Sequence, residues 1–96
     1  MKKLSVVIPA YNEEGSIKKR SLEEVWSFLE KQKYDWEVIV VDDASTDKTL
    51  LLSQEFAKTH KAIKVLPESH RGKGGSVIAG MLKTTGDIVI FCDMDQ

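Results

Sequence analysis

Two clusters of aspartates, each placed directly after an apolar run, are the residues of this chain best suited to chemistry. Asp42-Asp43 follow Glu37-Val38-Ile39-Val40-Val41, and Asp93-Met94-Asp95 follow Ile88-Val89-Ile90-Phe91-Cys92. Carboxylates so close repel one another and are costly unless a cation, a base or a ligand hydrogen bond compensates. In extended backbone, Asp93 and Asp95 project to one side while Met94 points to the other. Paired carboxylates are hard oxygen donors suited to Mg or Mn, ions that bind substrate phosphates while keeping some of their water. Capping of a following helix by aspartate is the competing reading of the same residues. An Asp-x-Asp triplet alone is frequent by chance and gains weight only from its place after a buried-looking strand.

A second constellation is His70-Arg71-Gly72-Lys73-Gly74-Gly75-Ser76, read as the opening of a helix. Glycines let backbone approach an anion, and a helix N-terminus supplies free N–H groups. Arg71 would neutralise a diphosphate through its planar fork and Lys73 as a point charge. The spacing is neither a Walker A loop nor Gly-x-Gly-x-x-Gly; a solvated glycine-rich turn is the alternative. Tyr11 and Glu13 form a third group. Tyr11 would stack on a base and Glu13 would accept hydroxyl hydrogens, or else Asn12 and Glu13 merely cap a helix. His60 and His70 are too isolated to make a ligand set, with His60 marking a helix end. Trp26, Trp36 and Met94 read as packing residues.

The elements that must position these groups follow from periodicity. Leu4–Ile8 reads as a first strand stopped by Pro9, residues 37–41 as a second, Ile63–Leu66 as a third ending at Pro67, and residues 88–92 as a fourth. Continuous β-branched runs predict strands covered on both faces. Leu22, Val25, Trp26 and Leu29 give a helical stripe, with Ser21 and Glu24 spaced as a capping box and an alternative start near Ser16. Leu50–His60 reads as a second helix entered through Ser45-Thr46-Asp47. Glu68–Gly75 reads as a charged loop. Val77, Ile78, Met81 and Leu82 mark the apolar stripe of a third helix, ended by Thr84-Thr85-Gly86. The order βαβαβαβ, with right-handed crossovers, predicts a Rossmann-like α/β parallel sheet with helices on both faces and strand order 3-2-1-4. Every polar cluster then lies beyond the carboxyl ends of the strands, where open α/β sheets bind ligands.

Composition narrows the alternatives. At 96 residues, 42% hydrophobic and 30% charged, the chain has the make-up of one small globular domain. A formal charge of −1 offers no basic field for nucleic acid. The single cysteine, Cys92, allows no internal disulfide and reads as a buried core thiol in a reducing compartment. No run approaches the ~20 apolar residues of a membrane helix, and Met1-Lys2-Lys3 is not followed by a signal-type apolar segment. The expected location is cytoplasmic.

Taken together, Ser5-Val6-Val7-Ile8-Pro9-Ala10-Tyr11-Asn12-Glu13-Glu14, Val40-Val41-Asp42-Asp43-Ala44-Ser45-Thr46-Asp47, Gly86-Asp87 and Asp93-Met94-Asp95 resemble the N-terminal half of a family-two GT-A glycosyltransferase. The stretch from His70 to Val77, with Gly80-Met81-Leu82 after it, resembles the dolichyl-phosphate β-glucosyltransferase branch and, more loosely, polyprenyl-phosphate mannosyltransferases. The resemblance covers residues 1–96 and implies a nucleotide-sugar-binding domain that transfers a hexose with inversion. It implies that Pro9, Tyr11 and Glu13 border the nucleoside, that Asp43 holds the base with Asp42 supporting its loop, and that Arg71 and Lys73 lie near the diphosphate or sugar. It further implies Asp93 at ribose or sugar and Asp95 on the divalent cation, Mg or Mn, with both aspartates at the catalytic and metal centre. The implied donor is UDP-glucose, with GDP-mannose as the other candidate. The implied acceptor is a polyprenyl phosphate, bound by segments beyond this chain, in a parent at the cytoplasmic face of the membrane. Members of the family continue well past the Asp-x-Asp triplet, so the chain reads as a donor-binding half that binds nucleotide weakly and does not transfer alone.

Two other classes fit parts of the pattern. A receiver-type signalling module also gathers acids around Mg at strand ends, although a phosphoacceptor aspartate is missing where the third strand ends at Leu66-Pro67. A non-catalytic nucleotide-binding module would keep the fold and lose the chemistry.

Overall fold

The computed structural model of the chain describes residues 2–70 and 72–94. Its elements are β1 (Lys3–Ala10), α1 (Glu14–Lys18), α2 (Ser21–Glu30), β2 (Asp35–Asp43), α3 (Thr49–Thr59), β3 (Ile63–Glu68), α4 (Gly72–Met81) and β4 (Ile88–Phe91). Among the described residues the strands form one parallel sheet in the order β3-β2-β1-β4, as the crossover rule predicts. β1 and β2 are central, and their side chains divide by alternation. Val6, Ile8, Val38 and Val40 pack with Ile17, Leu22, Leu29 and Ile63 on one face, joined by Met94. Val7, Ile39 and Val41 pack with Ala79 of α4 on the other. Trp26, Trp36 and Cys92 are half-buried against the first of these clusters, so Cys92 sits at the core's margin and not fully inside it as expected.

Several boundaries differ from the sequence expectation, each for a physical reason. Pro9 does not stop β1. The Val7 carbonyl accepts a bond from Cys92, so alternate residues of β1 turn their polar groups toward β4. Pro9 faces that side where β4 has already ended at Phe91, and its missing N–H leaves no ladder bond unmade. Pro67 lies inside β3 in the same way. Val38 donates to the Ala62 carbonyl, which turns residues 63, 65 and 67 to the open side of an edge strand. β2 runs on through Asp42 and Asp43, which are residues of the strand and not of a loop after it.

The predicted capping box at Ser21 and Glu24 does not form. Arg20 takes a left-handed conformation (φ 71°) that separates α1 from α2, and no side chain caps the start of α2. The Ser21 hydroxyl instead donates to the Met94 sulfur at 3.3 Å. Helix α4 begins at Gly72, so the second half of the predicted charged loop is its first turn. Its buried face is Ser76, Ala79 and Gly80; the expected stripe points outward, with Ile78 60% and Leu82 79% exposed. Gly80 explains this rotation. A Cβ there would collide with Val7 and Val41, so the helix sits on the sheet through its smallest side chains. β4 is also less covered than its apolar sequence predicts, because it is an edge strand; Ile88, Ile90 and Phe91 are exposed.

Candidate functional site

The carboxyl ends of the strands frame a cavity of about 220 Å³. The end of β1 and the turn after it contribute Pro9, Ala10, Tyr11 and Glu13 to its lining; β2 contributes Asp43, and the first turns of α4 contribute Lys73 and Ser76. Asp93 enters from beyond β4. The volume is below the roughly 300–1,000 Å³ of a pocket that encloses a whole drug-sized ligand. It suits one part of a larger molecule.

Polar side chains hold the rim where no apolar contact could. The register pairs Ala10 with Asp42, so the turns leaving β1 and β2 run side by side. Asn12, left-handed at φ 52°, accepts the Thr46 N–H on its side-chain oxygen at 2.8 Å, and its own N–H donates to the Ser45 hydroxyl at 2.9 Å. The Glu13 N–H donates to the buried Thr49 hydroxyl at 2.7 Å, and Lys48 N–H to the Glu14 carboxylate at 3.0 Å. Asp47 receives the Thr49 N–H at 2.8 Å and the Thr49 hydroxyl. Partial burial pushes the Asp47 carboxyl up, but these Thr49 bonds and one from Glu14 outweigh it and hold the carboxyl below its ordinary value. Asp42 stands beneath this turn. It is 2% exposed, accepts the Ser45 N–H at 3.3 Å and does not line the cavity.

Asp43 forms the wall beside Tyr11. It is 3% exposed, and its Oδ2 accepts the Gly72 N–H at 3.0 Å and lies 3.0 Å from His70 Nδ1. Gly72 is left-handed at φ 75°, a conformation that glycine adopts without penalty, and this aims its N–H at the carboxylate. Also in the lining, the Lys73 ammonium pairs with Asp93 Oδ1 at 2.5 Å. This contact ties the first turn of α4 to the end of β4. Burial, followed by the nearby Asp93 charge, pushes the Cys92 thiol up, so it stays neutral and belongs to the packing.

The lining is acidic on balance. Glu13, Asp43 and Asp93 face one base, Lys73, among the described residues. Among those residues no three acidic, histidine or cysteine side chains converge closely enough to hold an ion. The hard oxygen of Asp93 nonetheless suits Mg or Mn, which complete their shells with ligand phosphates and water more often than with an all-protein cage. A diphosphate entering this cavity would therefore need a cation to offset the carboxylates.

Of the site residues expected from sequence, Pro9, Tyr11, Glu13, Asp43, Lys73 and Asp93 are brought to one cavity, and Asp42 lies under its rim. Arg71 and Asp95 lie outside the described residues. Sequence reading missed Ala10 and Ser76 in the lining. It also missed His70, which it had set aside as isolated. The pairing of His70 with Asp43 spans 27 residues and leaves no local sequence signal.

The glycosyl transferase family 2 sequence profile matches residues 5–96 of the chain. The chain belongs to that family. A dolichyl-phosphate β-glucosyltransferase of Drosophila melanogaster is 43% identical over 101 residues, covering 96% of this chain and 30% of that protein. A mannosyltransferase of Pyrobaculum calidifontis, solved in complex with GDP-mannose and Mn2+, superposes with a TM-score of 0.84 at 33% identity over 98% of this chain and 28% of its own. The glucosyl-3-phosphoglycerate synthase of Mycobacterium tuberculosis, solved with Mn2+, UDP-glucose and phosphoglyceric acid, gives 0.74 at 31% identity over 97% of this chain and 33% of its own. The sheet is thus a GT-A-like fold, and the chain spans about 30% of the length of the curated relatives it matches. The family assignment removes the receiver-type reading. Among the described residues no helix is long and apolar enough to cross a membrane.

Proposed function

We propose that this chain is the donor-binding part of an inverting hexosyltransferase that moves glucose from UDP-glucose to a polyprenyl phosphate, on the cytoplasmic side of a membrane. The observation that carries the reading is the one cavity at the strand ends that Tyr11, Glu13, Asp43, Lys73 and Asp93 line together. Tyr11 and Asp43 take the base, by stacking and by accepting its N–H. Glu13 accepts hydroxyl hydrogens of the ribose. Lys73, with Arg71, stabilises the negative charge that gathers on the departing diphosphate. Asp93 and Asp95 hold the divalent cation, which neutralises the diphosphate when bound. Asp93 also orients ribose or sugar.

In the transfer, an oxygen of the acceptor phosphate forms a bond to the anomeric carbon from the face opposite UDP. The bond from that carbon to the UDP oxygen breaks, and its electron pair leaves with UDP. A phosphate monoester with a second pKa near ~6 is largely dianionic at neutral pH, so it attacks without a general base. The cavity accordingly needs no catalytic histidine.

The test is an amide-shift titration with UDP-glucose, GDP-mannose and UDP, each with and without Mn2+. Asp43→Asn is expected to weaken nucleoside binding even without metal, and Asp95→Asn to weaken only the metal-dependent part. Both variants titrating like the parent would remove the assignments. A stronger response to GDP-mannose than to UDP-glucose would change the donor.

A further inference from the structure

His70 touches two walls of the cavity without lining it. Its Nδ1 lies 3.0 Å from Asp43 Oδ2 and 3.4 Å from the Asp43 carbonyl oxygen. Both neighbours are acceptors, so that nitrogen carries the proton and donates. Its ring meets the Tyr11 ring with centroids 5.2 Å apart, tilted by 52°, within the range of a favourable aromatic pair. His70 is itself 64% exposed, so core packing does not account for its placement. Tyr11 follows β1 and Asp43 ends β2, and each lines the cavity.

From this geometry we propose that His70 is a positioning residue for base recognition. It fixes the Asp43 carboxylate and the Tyr11 ring in one arrangement without lining the cavity itself. The inference rests on the proposal that this cavity takes a nucleoside diphosphate, and it adds the residue that sets selectivity for the base. His70 Nδ1 and the Gly72 N–H both meet Asp43 Oδ2, and pinning that oxygen helps fix the plane of the carboxylate. A base reads that plane through its hydrogen bonds, and charge-assisted bonds of this kind are strongly directional. The Tyr11 contact sets the tilt of the ring on which the base would stack. Losing His70 would remove one of the bonds that hold Asp43 and leave Tyr11, 47% exposed, free to rotate. The diphosphate half of the cavity, at Lys73 and Asp93, has no contact with His70 among those described and would be unaffected.

The experiment compares the wild-type chain with His70→Ala and His70→Asn, titrated with UDP and with ADP in the presence of Mn2+, with thermal unfolding of each variant as the fold control. Asparagine can place its amide nitrogen near the position of Nδ1, so it keeps the donor and removes the ring and the possibility of charge. The wild type is expected to prefer UDP. His70→Ala should weaken UDP about tenfold, the scale of one charge-assisted hydrogen bond, and ADP by less than about twofold, while unfolding near the wild-type temperature. His70→Asn should recover most of the UDP affinity. Equal weakening of UDP and ADP, unchanged UDP binding in His70→Ala, or failure of His70→Asn to recover affinity would each overturn the proposal. Equal binding of UDP and ADP by the wild type would also overturn this proposal, whereas binding of neither would overturn the nucleotide assignment itself.

Discussion

Glu37 offers the sharpest test of what holds the site-bearing strands in register. It lies near the start of β2, at the end of the sheet opposite the cavity, and is 1% exposed. Its Oε2 accepts the Ser5 hydroxyl and the Thr85 N–H, each at 2.7 Å, while Oε1 takes the Lys64 ammonium at 3.1 Å. These bonds tie β2 to β1 and to the turn that launches β4, the strand that carries Asp93. Burial pushes the Glu37 carboxyl up, but the Thr85, Ser5 and Lys64 bonds outweigh it and leave it at about 2 against an ordinary 4.5. At about 1.4 kcal/mol for each tenfold change in acidity, that displacement is worth ~3 kcal/mol. The figure is a ceiling, because the Lys64 side chain is 59% exposed and water screens its share. The folded-state value is depressed, so the stabilisation is complete above pH 4.5 and is lost as pH falls toward 2. Glu37→Gln keeps the shape and one acceptor but removes the charge. Urea unfolding at pH 7, 4.5, 3 and 2 should show the variant about 2–3 kcal/mol less stable at pH 7, with the gap closing toward pH 2. A gap that stays constant across that range would show that shape and not charge is at work, and would refute the reasoning.

Two further substitutions probe other contacts. Gly80→Ala adds a methyl group where Val7 and Val41 already stand, so α4 must shift; a loss of about 1–3 kcal/mol is expected in urea unfolding, and a neutral result would contradict the close approach. Asn12→Ala removes the acceptor for the Thr46 N–H from a residue at φ 52°, so both a hydrogen bond and a tolerated left-handed conformation are lost. It should cost about 1–2 kcal/mol and speed amide exchange at Thr46, and unchanged exchange there would show that the two turns are not held together by this bond.

The sheet was legible because its two central strands carry a signal that few other structures share. Val6 to Ile8 and Val38 to Val41 are apolar on both faces, and three helical segments separate the four strands, which leaves few topologies for a right-handed parallel sheet. The failures share one cause, which is that sequence patterns do not reveal coverage. The stripe Val77, Ile78, Met81, Leu82 has helical spacing, yet α4 turns its small residues inward because Gly80 allows an approach that larger side chains forbid. Ile88, Ile90 and Phe91 look like core and are exposed, because nothing in their spacing says that β4 is an edge. Both prolines looked like strand stops. Whether a proline ends a strand depends on which way its nitrogen points, and that is set by the register with the neighbouring strand.

The site was legible by a different route. Acids and glycines at strand ends are conspicuous, and parallel topology sends all strand ends to one edge, so the convergence of Glu13, Asp43, Lys73 and Asp93 required no knowledge of contacts. What sequence could not supply is the pairing among short polar residues. Asn12, Ser45, Thr46, Asp47 and Thr49 read individually as loop or cap formers. They become the frame of the cavity only because Ala10 and Asp42 are in register, which brings two turns 34 residues apart in sequence within hydrogen-bond reach. The same holds at the opposite wall. His70 matters only because Gly72, left-handed, bends the start of α4 back onto Asp43. The chemistry-bearing groups are therefore set by composition and topology, whereas their aim is set by long-range bonds from residues with no catalytic character. On the proposed reading of the cavity, substitutions among those residues should alter which nucleotide base is preferred before they alter whether the chain folds.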